Sequence, residues 1–570
     1  MGSSPLPTER ACSVNPTEDS STRIMNSLHA MSLPRRVKAL GRIMAGLVSG
    51  VWVLMLLVAV FGAVLNVPSA SGQSGTIYIR ADGSIDPPAP ISTVDNITYT
   101  FTGDIFDSLV VERDDIVIDG AGYTVTGDGS QNGTTLTGRS NVTVGNMTTK
   151  NFYTGIWLLY SSNNVLSGNN VANNTGGIAL GSSFNNVLSA NNVANNTYGI
   201  YLWSSFNNSV SDNNVTANSD YGIALDSSCH DNSVSGNNVA NNTYGIGLGS
   251  SFNNVLSGNN VANNTCGIGL WSSFNNSVSD NNLTTNSGNG IYLWSSFNSS
   301  VSGNNVANSD YGIALDSSCH DNSVSGNNVA NNTYGIGLGS SFNNVLSANT
   351  VANNTYGIWL WSSSNNKIYH NSFNNTYQAY SGGSVNVWDD GYPSGGNYWS
   401  DYTDADFHSG PYRNETGSDG IGDSLHAIDA NNTDQYPLMG MFSNFNVTSE
   451  HSVQTVCNST ISDFQLNGTA IRFNIFGEDG TTGFCRICIP TALMNDSYCV
   501  YVNGTEIPYS LLACSNSTHS YLYFNYTHST QEVIIIPEHP SFLITLLFMV
   551  ATLLAIIVYK RKHTSKVNGK

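Results

Sequence analysis

Between Lys150 and Lys367 the chain has no lysine and no arginine, and residues 151–366 contain no glutamate either. Only 10% of all residues are charged, yet the net charge is −20, from 39 Asp and Glu against 19 Lys and Arg. No basic stripe exists to meet phosphates, which argues against a nucleic-acid partner. The same stretch shows no apolar recurrence at spacings of three and four, so it holds no amphipathic helix. Glycoside hydrolysis needs two carboxylates held ~5–10 Å apart. Asp226 and Asp316, the acids of the outward columns, are four rungs apart and have no acidic neighbours in their columns, and no catalytic residue is assigned.

What the stretch does have is a Gly-Ile dipeptide returning ten times at a spacing of 22 or 23 residues, with its isoleucine at positions from Ile156 to Ile358. A fixed period of this kind is the mark of stacked repeats. Short apolar alternations such as Ile200-Tyr201-Leu202-Trp203 are separated by Asn-rich turns, which is strand spacing. Three strands and three turns in one period make one rung of a parallel β-helix. Ten rungs at strand spacing give a rod ~48 Å long. Ile200, Leu202, Val210 and Val215 are expected to point inward, and only a stack of rungs closes such a core. The Asn-Asn pairs occupy turns, where Asn tolerates left-handed backbone and its amide bonds to its equivalent one rung away. Residues 217–257 and 307–347 are identical, so the rod lengthened by duplication of a four-rung block.

The chain resembles the parallel β-helix repeat proteins of the NosD-like group, and most of all archaeal cell-surface members, over residues 76 to about 440. Besides the repeats, the resemblance rests on Thr76–Gly83, Asp115–Gly122 and Gly396-Asn397-Tyr398-Trp399-Ser400-Asp401-Tyr402. It implies a right-handed parallel β-helix, a fold that carries lyases, hydrolases, adhesins and copper-delivery accessories alike, so it fixes no activity. The copper role implied by the family name has no His or Met cluster to support it in the sequence.

The expected class is all-β: a right-handed parallel β-helix of about ten or more rungs, then a small β-sandwich, with membrane-directed helices near both ends. Residues 1–42 read as a disordered basic lead. The apolar run Ile43 to Leu65, preceded by Arg35, Arg36, Lys38 and Arg42, makes 43–72 a cleavable signal peptide or a signal anchor. Residues 73–150 form the N-terminal cap and first rungs, 151–388 the repeats, 389–442 an acidic cap and 443–537 the sandwich. Residues 541–559 form an uncharged run of membrane-spanning length, and the basic tail 560–570 is placed in the cytoplasm. The ectodomain is then extracellular and the membrane is a partner. The 25 Asn-x-Ser/Thr sequons between Asn96 and Asn525 suit a solvated, exported surface.

On the Gly-Ile strand the residues flanking the inward Ile and Leu form two outward columns. Those columns hold Trp157, Tyr201, Trp203, Trp271, Tyr292, Trp294, Trp359 and Trp361, so six of the nine tryptophans share one face. Contiguous exposed apolar surface marks a binding site, and flat rings spaced by Gly and Ala suit stacking against sugars. The alternative is that a partner, a loop or a second rod covers the stripe. Cys229-His230-Asp231 recurs as Cys319-His320-Asp321 within the duplicated block, and neighbouring rungs put Phe and Asn there, which argues against a metal or nucleophile site.

The acidic cap offers Asp401, Asp404, Asp406, Asp419 and Asp423. Asp419-Gly420-Ile421-Gly422-Asp423 resembles part of a calcium loop, so calcium is the one cofactor expected, against the alternative of a solvated acidic turn. Of the nine cysteines, five lie in the sandwich: Cys457, Cys485, Cys488, Cys499 and Cys514. Disulfides are expected there in preference to zinc, since Cys485-Arg486-Ile487-Cys488 lacks a second close pair. The functional expectation is a membrane-anchored, non-catalytic surface protein for binding or adhesion, with a polysaccharide or surface glycan as ligand. A carbohydrate-active enzyme using the cap acids, or a structural envelope spacer, are the alternatives.

Overall fold

The structure is a computed structural model that describes residues 75–538, apart from 469, 495 and 496, together with residues 549–559. Two compact units divide the chain, Met1–Asn322 and Ser323–Lys570.

In the first unit each repeat supplies three strands, and equivalent strands of successive repeats pair in parallel to build three sheets. The long strand carries the Gly-Ile dipeptide, as in Tyr198–Trp203, Tyr221–Asp226 and Tyr244–Gly249. Two three-residue strands complete a turn, Ser209–Ser211 and Asn214–Thr216. The register sets like against like: Ile200 opposite Ile223, Leu202 opposite Leu225, Val210 opposite Val234 and Val215 opposite Val239. All eight are wholly buried, each contributing ~1.5–3 kcal/mol relative to exposure. A slip of one residue would turn these columns to solvent, so the repeat itself fixes the register.

The Gly of each dipeptide is required by close approach. A Cβ at Gly199 would strike the carbonyl oxygen of Gly222 on the next turn and the Val215 side chain. In turns such as Asn195-Asn196 the two asparagines divide the work. The first, Asn195 at φ 58°, takes the left-handed conformation and is exposed. The second, Asn196, is buried and forms a ladder, its Nδ2 donating to Asn218 Oδ1 at 3.0 Å, whereas in Asn191-Asn192 and Asn213-Asn214 it is the first residue that is buried and laddered. Asn191 Nδ2 donates to Asn213 Oδ1 at 2.9 Å, and Asn213 Nδ2 donates to Asn237 Oδ1 at 3.0 Å and to the Leu188 carbonyl at 2.9 Å. A serine ladder runs beside the long strand, with Ser183 N–H donating to Ser205 Oγ at 3.0 Å.

The second unit repeats this pattern in Tyr334–Gly339, Tyr356–Trp361 and Tyr377–Gly382, so both units have the parallel β-helix fold. Its last turn is closed by the buried indoles of Trp388 and Trp399. Asn432 accepts from Trp388 Nε1 at 3.1 Å, and Asp434 accepts from Trp399 Nε1 at 2.9 Å and from Asn397 N–H at 2.7 Å. Residues 441–537 then form two five-stranded antiparallel sheets. One core holds them together, with Val453 and Ile487 from the first and Phe473 and Val500 from the second.

Of the two expected membrane-directed helices, the run Ile43 to Leu65 lies outside the described residues. The C-terminal run is seen only as a short helix over 549–559, exposed throughout. Among the described residues no helix is long and apolar enough to cross a membrane.

Candidate functional site: an aromatic face

The outward columns of the Gly-Ile sheet are filled by rings that lie down on the sheet. In the first unit a Cβ at Gly181 would collide with the Trp203 indole, which therefore covers that strand, and Trp271 covers Gly269 in the same way. These glycines leave no room for a ligand; they make a floor for the tryptophan. Trp157 and Trp203 meet at 5.0 Å between ring centroids, and Tyr201 stacks on Trp203 at 5.6 Å. Trp271 meets Tyr244 edge-on at 5.5 Å. Tyr201, Trp271 and Tyr292 are buried, with 5%, 5% and 7% of their surface exposed, whereas Trp157, Trp203 and Trp294 keep accessible surface.

In the second unit three strands carry one continuous patch. Tyr334, Tyr356 and Tyr377 form a stacked column with centroids at 5.4 and 5.0 Å. Trp359 stacks on Tyr380 at 4.0 Å and meets Tyr356 edge-on at 4.9 Å. Trp361 covers Gly382. The rim of this patch is open: Trp361 and Tyr380 are each 36% exposed and Tyr377 is 55% exposed. No charged residue occurs in the three strands, so the patch offers ring faces and hydroxyls but no acid or base.

The tyrosine column at the first position of the strand was not read from the sequence. Strict alternation from Ile200 sends Tyr198 inward. The Gly199 Cβ direction points into the interior, so the chain bends there and alternation is broken. Tyr198 thus joins Tyr201 on the outer face, their rings 6.1 Å apart. The signal was present as a tyrosine recurring two residues before the isoleucine.

The Cys-His-Asp motif is absorbed by the fold. Cys229 takes a place in the serine ladder, accepting from Ser205 N–H at 3.4 Å, and burial pushes its thiol up to about 12. The His230 ring stacks between Phe206 and Phe252 at 5.0 Å from each and bonds Asp231 at 2.8 Å.

The cap acids serve local backbone. Asp404 accepts from Ser424 Oγ and from Ala405 N–H, and Asp406 accepts from Asp419 and Gly420 N–H at 3.0 and 2.8 Å. Asp419 caps Ile421 N–H at 3.0 Å, and Asp423 caps Phe407 and His408 N–H at 2.8 and 3.1 Å. Asp401 is exposed. Burial lifts the Asp406 carboxyl to about 7, with Asp419 and Asp423 adding to the effect against the two N–H donors. Cys457, Cys485, Cys488, Cys499 and Cys514 are all thiols in the structure. Cys457 and Cys485 sit directly opposite each other on paired strands.

A model of the family described as periplasmic copper-binding protein (NosD) matches residues 103–254, 225–346 and 317–404. No curated protein matches the sequence. Among solved structures, the mannuronan C-5 epimerase AlgE6 A-module of Azotobacter vinelandii is 15% identical, over 51% of this chain and 88% of that one, with a TM-score of 0.36. The Dettilon tailspike protein is 15% identical over 75% and 87%, TM-score 0.30. An exopolygalacturonase from Thermotoga maritima is 11% identical over 41% and 78%, TM-score 0.33.

Copper is taken by His, Cys and Met donors in close groups. Among the described residues no three His, Cys, Asp or Glu side chains are gathered to hold a metal ion, so the described residues do not fit the metal in the family description. The match itself spans more than half of the sequence and follows the β-helix repeats: the chain belongs to the NosD family.

Proposed function

We propose that this protein is a surface-displayed, membrane-anchored rod that binds saccharide without catalysis. The observation that carries this is the open rim of the aromatic patch, Trp361, Tyr377 and Tyr380, which stay 36–55% exposed beside the half-buried Trp359. The C–H faces of sugar rings are apolar, and covering such surface contributes ~25 cal/mol per Å². Tyrosine hydroxyls at the rim supply polar contacts without charge. Because the patch strands carry no charged residue, no acid–base pair is at hand to cleave what is held there. The exposed apolar helix at 549–559, followed in sequence by Lys560-Arg561-Lys562, supports attachment to a bilayer with the tail inside.

The test is a glycan array probed with the full chain in lipid nanodiscs. Selective retention of a polysaccharide is expected, weakened roughly tenfold or more by Trp361→Ala or Tyr380→Ala. Phe407→Ala, an exposed ring in the cap, should leave it unchanged. Retention should also survive a calcium chelator, since the cap carboxylates are engaged with turns. Absence of any glycan binding, or equal binding by Trp361→Ala, would refute the reading.

A further inference from the structure

The sandwich core contains a polar chain that the saccharide reading does not use. Cys457 and Cys485 face each other across antiparallel strands Ser452–Cys457 and Thr482–Pro490, both essentially inaccessible to solvent. Directly opposed residues in such a ladder have Cα atoms ~4.5–5.5 Å apart, inside the span a disulfide bridges. At the Cys457 sulfur, Ser459 N–H donates at 3.4 Å and the Tyr526 hydroxyl lies at 3.2 Å, itself donating to the Phe484 carbonyl at 3.2 Å. Behind them Ser459 Oγ bonds Tyr526 at 2.7 Å and His528 Nε2 at 2.7 Å.

The space for this chain is built in. A Cβ at Gly483 would strike the Tyr526 ring, and one at Gly477 would strike His528. Burial alone would raise the Cys457 thiol, but the hydrogen bonds at its sulfur bring it below the ordinary cysteine range. Cys488 lies three residues on, opposite Tyr521, and Cys499 lies opposite Ile536. Neither strand pairing sets a second cysteine against them.

We propose that Cys457 and Cys485 close to a cross-strand disulfide as the sandwich folds, stapling these two strands inside the core. The oxidant is a small-molecule disulfide. The Cys457 thiolate attacks one of its sulfurs, forming a mixed disulfide and releasing one thiolate. Cys485, as its sulfur gives up its proton, attacks Cys457 and releases the second. The two protons go to the two released thiolates, so two thiols are oxidised and one disulfide is reduced. Sealed in the core, the finished bond is shielded from reductant while the domain stays folded. The proposal is independent of what the aromatic face binds.

The test refolds the denatured, reduced full chain with glutathione disulfide, then maps peptides without reduction. The expected result is a 457–485 cross-link that persists under dithiothreitol in the native state and is lost when denaturant is added. The unfolding midpoint of the sandwich should stand roughly 10 °C above that of the reduced chain. Cys457→Ala/Cys485→Ala, which removes both thiols together, should be insensitive to the oxidant in midpoint. Free, alkylatable Cys457 and Cys485 after refolding, or a link from either to another cysteine, would overturn the proposal. So would a midpoint in the double variant that still responds to oxidant.

Discussion

Asn213→Leu should lower the stability of the first unit by about 3–6 kcal/mol, the largest effect expected of any single change along the ladders. Asn213 is fully buried and makes four ladder bonds. Its Oδ1 accepts from the backbone and side-chain nitrogens of Asn191, and its Nδ2 donates to Leu188 O and Asn237 Oδ1. Leucine is close in size, so little volume is lost, but Asn191 N–H loses its acceptor in a site closed to water, while Asn191 Nδ2 keeps only Leu166 O and Asn237 Oδ1 only the Asn213 backbone N–H. An unmade buried bond costs ~1–3 kcal/mol per group, far more than the bond's net value when made. The measurement is urea unfolding followed by circular dichroism. Asn213→Asp separates polarity from charge: at neutral pH its carboxylate faces the Leu188 carbonyl and Asn237 Oδ1, and the loss should shrink on acidification as an O–H donor returns. The internal control is the next residue. Asn214 also bonds its equivalents, accepting from Asn238 at 2.8 Å, but it is exposed, and Asn214→Ala should change stability by no more than about 0.5 kcal/mol. Equal costs at both positions would show that ladder bonds gain nothing from burial.

That contrast also marks how far the sequence could be read. Ile200, Leu202, Val210 and Val215 are inward as the period requires, because a two-residue alternation inside a fixed repeat leaves each column one choice of face. The Asn-Asn turns were legible as turns, but the division into a left-handed exposed residue and a buried ladder residue depends on the neighbouring turn. The aromatic face was legible as a face and not as a surface. Which rings stay open is decided by how an indole lies over a glycine of the adjacent turn, as Trp361 does over Gly382. The tyrosine column was lost to the bend at Gly199 and its equivalents. The cap was the least legible part. Its acids looked alike in sequence, yet Asp423 caps backbone N–H groups fifteen and sixteen residues away, and Asp434 reaches an indole thirty-five residues away. Pairings of that span follow from packing, not from local spacing.

Asp434→Ala should cost about 3–5 kcal/mol in the second unit, because it removes the one acceptor shared by Trp399 Nε1 and Asn397 N–H beneath the last turn. Asp434→Asn keeps a carbonyl oxygen where those two donors converge and should cost less, although its amide then faces the Tyr436 N–H that the second carboxylate oxygen accepts at 3.1 Å. The pair of variants also carries a pH signature. Burial raises the Asp434 carboxyl to about 7, opposed by the donors from Asn397, Trp399 and Tyr436. A carboxyl whose folded value lies above its unfolded value, about 3.9, holds its proton more tightly when folded. Its stabilising contribution is complete below the unfolded value and is lost as pH rises toward 7. Asp406, lifted to about 7 mainly by burial, acts with the same sign. The wild-type unfolding midpoint should therefore climb as pH is lowered from about 8 to about 5. Asp434→Asn should flatten that slope, and Asp406→Asn/Asp434→Asn should flatten it further. A wild-type midpoint that falls over the same range would mean that the three donors outweigh burial and that the carboxylate is the form the cap was built around.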